Sequence, residues 1–173
     1  MASVRERIVA AGYIAGWKIV GALPQRLTAR AAQWAADRAS GDGAGMEMLR
    51  RNLTRVVGPE NVTRDLVRDA MRSYARYWLE AFRLPQMAGA PELNATLSAG
   101  VSGREHLDAA VARGKGVVLT LPHTGNWDMA GTWLAENYGG FTTVAERLEP
   151  EALFDAFVKF RESLGFEVVP LTG

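Results

Sequence analysis

Apolar side chains recur every three to four residues through the first hundred positions of the chain, the spacing of amphipathic helices. Residues 8–23 are apolar on most sides and contain Tyr13 and Trp17; Pro24 ends the run. A bilayer span takes about twenty residues, so this stretch is short for one. It reads either as a core helix or as an interfacial anchor with Tyr13 and Trp17 at the water boundary. Lys18 and the lack of an Ala-x-Ala site argue against a signal peptide. Further helices are predicted over 27–39, 46–57 and 63–83, separated by Ser40-Gly41-Asp42-Gly43 and by Gly58-Pro59. The longest places Val67, Met71, Tyr74, Trp78 and Phe82 on one stripe, read as core. Arg64, Arg68, Arg72 and Arg76 share a separate face, either solvated or turned to phosphate. Residues 85–101, with Pro85, Gly89, Pro91 and Gly100, read as a loop-rich link.

Beyond residue 103 the pattern changes to short apolar runs alternating with helical ones. It predicts a helix over 105–112, a strand over 117–121, a helix over 127–137, a strand over 141–145, a helix over 151–164 and a strand over 166–171. Strands alternating with helices imply a parallel sheet with right-handed crossovers. The expected fold class is therefore α/β, with a helical N-terminal part packed on a parallel-rich sheet of βαβ units. A chain of 173 residues holds one real core. A single domain over 1–173 is expected, with a basic helical part at 1–88 and the βαβ core at 89–173.

Composition narrows the classes. An apolar content of 48% with 23% charged residues excludes a disordered chain. The absence of cysteine excludes disulfides and thiolate metal sites. The net charge of +1 hides an asymmetry. Residues 1–88 hold 14 Lys+Arg and 8 Asp+Glu, a net of +6, whereas residues 89–173 hold 6 and 11, a net of −5. A basic half suggests an anionic surface. No zinc, RNP or helix-turn-helix signature accompanies it, so membrane is expected rather than nucleic acid. Ordinary solvated helix faces are the alternative.

The candidate chemistry lies at the end of the 117–121 strand. Pro122 stops the strand, Gly125 supplies conformational freedom, and Thr124 or Asn126 can cap the helix that follows. His123 and Asp128 thus fall in a strand-to-helix turn, where open α/β sheets bind ligands. Helix-start N–H groups there favour a developing negative charge. Across such a turn the Asp128 carboxylate can accept from one imidazole nitrogen and leave the other as a base. Neither a cysteine nor a Gly-x-Ser-x-Gly elbow supplies a nucleophile. His123 is therefore read as deprotonating a substrate hydroxyl that attacks directly. The other reading is a histidine hydrogen-bonded locally at a strand end. His106 is the second histidine.

Pro122-His123-Thr124-Gly125-Asn126-Trp127-Asp128 resembles the HX4D/E block of the lysophospholipid acyltransferase superfamily. Its Gly-Asn-Trp filling is similar to that of the bacterial lipid A acyltransferase branch, which usually carries Glu at the last position. Asp at that position, the arginine-rich chain and Val144-Ala145-Glu146-Arg147-Leu148-Glu149-Pro150 look most like the actinobacterial members that act on phosphatidylinositol mannoside. The resemblance implies acyl transfer from acyl-CoA to a mannose hydroxyl of that lipid. Catalysis would fall to His123 and Asp128, and substrate binding to Asn126, Trp127, Glu146 and Arg161. It implies no cofactor and no metal, with acyl-CoA as a substrate. It also implies a peripheral position on the cytoplasmic face of the plasma membrane, on its anionic surface. The chain would be the N-terminal portion of such a protein, with a second catalytic acid and further strands beyond Gly173. The apolar residues Trp127, Met129 and Trp133, with Met71, Tyr74, Trp78 and Phe82, are candidates for an acyl-chain groove. The readings left open are a different lipid acceptor (a lysophospholipid or a lipid A-like acceptor), a non-catalytic lipid-binding module, and an interaction scaffold built on the basic helices.

Overall fold

The structure, a computed structural model, describes residues 4–122 and 124–171, with the side chains of 4–10, 13 and 14 outside that description. The chain divides into two compact units, one of Ala15–Arg83 and one of Met1–Ile14 with Leu84–Gly173.

Four helices supply the unit of Ala15–Arg83: α1 (Val4–Ala22), α2 (Gln25–Ser40), α3 (Glu47–Val57) and α4 (Arg64–Met87). α1 and α4 contribute residues to both units. α2 ends where the sequence placed a break. Gly41 adopts φ 55°, its N–H donates to the Arg38 carbonyl, and the Asp42 N–H donates to the Asp37 carbonyl. That pair of bonds satisfies the last carbonyls of the helix, and the left-handed residue costs least as glycine.

Trp17 of α1 is half-buried and contacts α4. Its indole N–H donates to the Phe82 carbonyl at 3.3 Å, and its ring lies 5.1 Å from that of Phe82. Phe82 in turn meets Trp78 at 5.7 Å, and Trp78 meets Tyr77 at 5.2 Å. Trp17 thus belongs to the packing of this unit; Tyr13 lies outside the described side chains. The expected core stripe of α4 holds at Val67, which is fully buried, and fails at Tyr74, which is 56% exposed. The Tyr74 ring meets Trp78 edge to face at 6.1 Å. Leu79, Ala81 and Leu84 are buried instead.

Three arginines of this face of α4 lie near carboxylates. Arg72 grips Asp37 of α2 with two bonds of 2.6 and 2.7 Å. Arg68 reaches Asp65 at 3.0 Å, and Arg76 lies 3.9 Å from Glu80. The guanidinium of Arg72 holds the Asp37 carboxyl below its ordinary value, against a smaller opposing effect of desolvation.

The other unit contains α5 (Pro91–Gly100), α6 (Arg104–Ala112), α7 (Trp127–Tyr138), β1 (Phe141–Glu146), α8 (Glu151–Glu162) and β2 (Phe166–Leu171). β1 and β2 run parallel, in register from Phe141↔Phe166 to Glu146↔Leu171, with α8 between them in sequence. The fold class is α/β, as expected. Two local expectations need correction. Residues 85–101 are largely helical: α4 continues through Pro85 to Met87, and α5 starts on Pro91. Proline at the first helical position has no N–H to lose and a φ already suited to the helix. The predicted strand 117–121 is not formed. The segment pairs with no strand among the described residues, and Val118 is 91% exposed. An apolar β-branched run fixes the tendency to extend, but a ladder also needs a neighbour to receive its N–H and C=O groups.

α7 packs on the sheet through a glycine. A Cβ on Gly131 would fall 2.5 Å from the Phe166 ring tip and 3.0 Å from that of Phe141, and these two rings meet at 4.6 Å, tilted by 47°. On another side α7 meets α5. The Trp133 indole donates to Ser98 Oγ at 2.9 Å, and Glu136 accepts from the Gly89 N–H and from Asn94, each at 2.7 Å. Phe154, Phe160, Leu164 and Phe166 complete the buried core here.

Candidate active site

The turn that leads into α7 is built as its residue types dictate, although among the described residues no strand precedes it. Gly125 takes φ +67°, in the left-handed region that favours glycine. Asn126 caps α7, its side-chain carbonyl accepting from the Met129 N–H at 3.1 Å. Trp127 and Asp128 then occupy the first turn of α7. His123 lies outside the described residues.

Asp128 is buried completely, and so is Thr132, whose hydroxyl donates to the Asp128 carbonyl at 2.9 Å. The Asp128 carboxylate faces Arg161 of α8, with Nε 3.5 Å from Oδ1 and side chains 1% and 8% exposed. Arg161 lies against two rings, its guanidinium carbon 4.2 Å from the centroid of Trp127 and 4.6 Å from that of Phe157. A buried carboxylate is tolerable only with such a partner, and planar guanidinium suits aromatic faces. The structure thus brings Asp128, Trp127 and Arg161 together, with Asn126 one residue away. Glu146 is exposed at the C-terminal end of β1, opposite Leu171. Arg147 beside it binds Glu151 at 2.9 Å, which pulls the Glu151 carboxyl down.

An open groove of about 1310 Å³ starts at this turn. Asn126, Trp127, Met129, Ala130 and Trp133 line it from α7, so three of the predicted groove residues are in it. Leu97 of α5, Leu107 and Val111 of α6, the extended segment through Leu121, and Phe141 and Val144 of β1 supply the other walls. Sequence reasoning missed α5 and α6 because it read the first as a link and gave the second no role. Met71, Tyr74 and Trp78 do not line this groove; they belong to the unit of Ala15–Arg83. Among the described residues no group of acidic or imidazole side chains could hold a metal ion.

The geometry and the sequence block lead to one family. The chain matches bacterial lipid A biosynthesis acyltransferase over residues 3–173 and belongs to that family. Within it, the chain is 55% identical over 164 residues to a protein of Mycolicibacterium smegmatis named phosphatidylinositol mannoside acyltransferase, covering 94% of this chain and 53% of the relative. It is 51% identical over 163 residues to a protein of the same name from Mycobacterium tuberculosis (strain CDC 1551 / Oshkosh), covering 93% of this chain and 51% of the relative. The chain spans about half the length of the curated relatives it matches.

Proposed function

We propose that the protein contributes to transfer of a fatty acyl chain from acyl-CoA to a mannose hydroxyl of phosphatidylinositol mannoside. The observation that carries the reading is an apolar groove at the start of α7, lined by Pro122, Asn126 and Trp127 of the motif block. The relatives' names supply the acceptor. In this reading His123 takes the proton of the sugar hydroxyl as it attacks the thioester carbonyl. The tetrahedral oxyanion forms beside the N-terminus of α7, where helix N–H groups favour negative charge. Collapse expels the coenzyme A thiolate, which recovers the proton from the imidazolium. In the same reading Asp128 orients His123 and stabilises its cationic form, Arg161 anchors Asp128 at the edge of the substrate site, and Asn126, Trp127 and Glu146 contact substrate. The groove takes the acyl tail; pockets of this kind are mostly apolar with few polar anchors. No metal enters this scheme.

The acceptor is a membrane lipid, so the reading includes a peripheral position on an anionic membrane. Among the described residues no helix is long and apolar enough to cross a membrane.

The test is thioester cleavage and product formation from acyl-CoA, with and without mannosylated lipid. Acceptor-dependent release of coenzyme A is expected. His123→Ala should lower it by about 10²–10⁴, the usual worth of a general base. Turnover within about tenfold of wild type would remove His123 from that role. Lipid binding without turnover would identify a binding module instead.

A further inference from the structure

The part of the chain that carries the motif is acidic, and its cations are few. Residues 89–173 hold 6 Lys+Arg against 11 Asp+Glu, yet both substrates of the proposed reaction carry phosphate. Arg104 is bonded to Tyr138 at the end of α7, Arg113 and Lys115 precede the extended segment 117–121, Lys159 lies in the last turn of α8, and Arg161 faces Asp128. Arg147 is the one of these cations that follows directly on the C-terminal end of a strand, β1. In a parallel sheet that edge is where ligands bind. The Arg147 guanidinium meets the Glu151 carboxylate through Nε and one Nη, the first at 2.9 Å. The same fork of donors fits a phosphate. Beneath it lies the buried ring of Phe154, 6.0 Å from the guanidinium carbon. One turn further along α8, the Phe157 ring meets Arg161, which faces the motif carboxylate. α8 thus seats two guanidiniums on successive rings. Arg161 is buried beside Asp128, whereas the side chains of Arg147 and Glu151 are 54% and 51% exposed. An exposed pair of that kind is weak and readily exchanged.

We propose that Arg147 is a phosphate-binding residue of the acyl-transfer site, and that Glu151 holds its guanidinium until a phosphate ester of one substrate displaces the carboxylate. That ester belongs either to coenzyme A on the donor side or to the phosphodiester of the acceptor headgroup. The exchange forms and breaks no covalent bond. The guanidinium keeps its charge and trades one pair of oxygen acceptors for another. The displaced Glu151 remains in the first turn of α8, where helix N–H groups favour a carboxylate. The inference rests on the proposed function for the identity of the two anions.

Arg147→Gln and Glu151→Gln in the full chain test this, because exchange makes them act in opposite directions. Calorimetric titration with coenzyme A reports on the donor phosphates, and titration with glycerophosphoinositol on the acceptor phosphodiester. Pantetheine, which has no phosphate, is the control. Arg147→Gln should weaken one of the two phosphate probes about tenfold, the worth of a hydrogen bond to a charged group. Glu151→Gln should tighten the same probe about threefold, since an exposed carboxylate competes only weakly. Arg147→Lys should fall between wild type and Arg147→Gln, because an ammonium keeps the charge and loses the fork. Pantetheine should bind wild type and variants alike. The probe that responds names the source, and KM for the parent substrate should move with it. Wild type that binds neither phosphate probe overturns the proposal. So does weaker binding in both Gln variants, which makes the pair part of the scaffold, or a loss that pantetheine shares. Should Arg147→Gln not fold, an unchanged affinity in Glu151→Gln overturns it alone. The titrations need no turnover, so wild type that transfers no acyl group would sink the proposed function and leave the binding result standing.

Discussion

Asp128 and Arg161 form a buried ion pair in the candidate site. Their side chains are 1% and 8% exposed and 3.5 Å apart. Removing one partner of such a pair strands a buried charge and costs about 3–5 kcal/mol. Asp128→Asn should therefore lower unfolding free energy by about 3 kcal/mol, quite apart from any loss of transfer. Arg161→Met alone should do the same, and the double variant should recover much of the stability, as read from denaturant melts of all four proteins. Single losses that simply add would deny the coupling. Transfer should stay low in the double variant if the carboxylate serves the reaction as well as the fold. The sequence made part of this legible. The start of α7 with Asn126 as its cap follows from local residue types. The pairing of Asp128 with Arg161 does not, because two side chains on different helices meet through packing, and periodicity is silent about it. Periodicity alone makes Arg161 an ordinary cation near a helix end, and only the resemblance gave it a place in substrate binding; its burial beside Trp127 and Phe157 comes from packing.

Helices fare better than strands for a physical reason visible in this chain. α7, α8 and α4 lie where the 3.6-residue period puts them because each helix satisfies its own backbone. The run 117–121 has the composition of a strand, yet a strand is completed only by a neighbour, and none is present among the described residues. α5 escaped notice because Pro91 looked like a breaker when it is an initiator. Once placed, α7 depends on one position. Gly131→Ala adds a Cβ 2.5 Å from the buried Phe166 ring. Overpacking of that kind costs about 1–3 kcal/mol, set against about 1 kcal/mol gained in helix propensity. The net should be a loss, seen as a lower denaturation midpoint; a gain would mean that the rings yield easily. Between α2 and α4 the decisive contact is Arg72 with Asp37. The folded state holds the Asp37 carboxyl below its ordinary value, so folding favours the ionised form. The resulting stability is present above the unfolded carboxylate value of about 3.9 and is lost as pH falls through the lower folded value. Asp37→Asn should melt earlier than wild type at neutral pH and converge with it in acid. A constant gap down to the lowest pH would show that the pair's charge is not what matters.

For the molecule as a whole, the question is whether the apolar groove beside α7 holds the donor's tail. Trp127, Met129 and Trp133 were legible as groove residues because they recur on one helix next to the motif. The remaining walls come from α5, α6 and the edge of β1, which only the fold could bring together. Each methylene that leaves water is worth about 0.8 kcal/mol, or about a fourfold preference per carbon in kcat/KM. A tail that fills the groove therefore gives steep chain-length selectivity. Ala130 lines the groove and is exposed, so a larger residue there intrudes on the groove without entering the core. Ala130→Trp should cut kcat/KM for long-chain acyl-CoAs by about tenfold or more, the loss of a few buried methylenes. It should leave short-chain donors near wild type and the melting temperature unchanged. Competition between two donors of different length in one reaction reads this ratio directly. Equal loss for every donor would place the tail outside this groove, and loss of the fold would make Ala130 part of the packing instead.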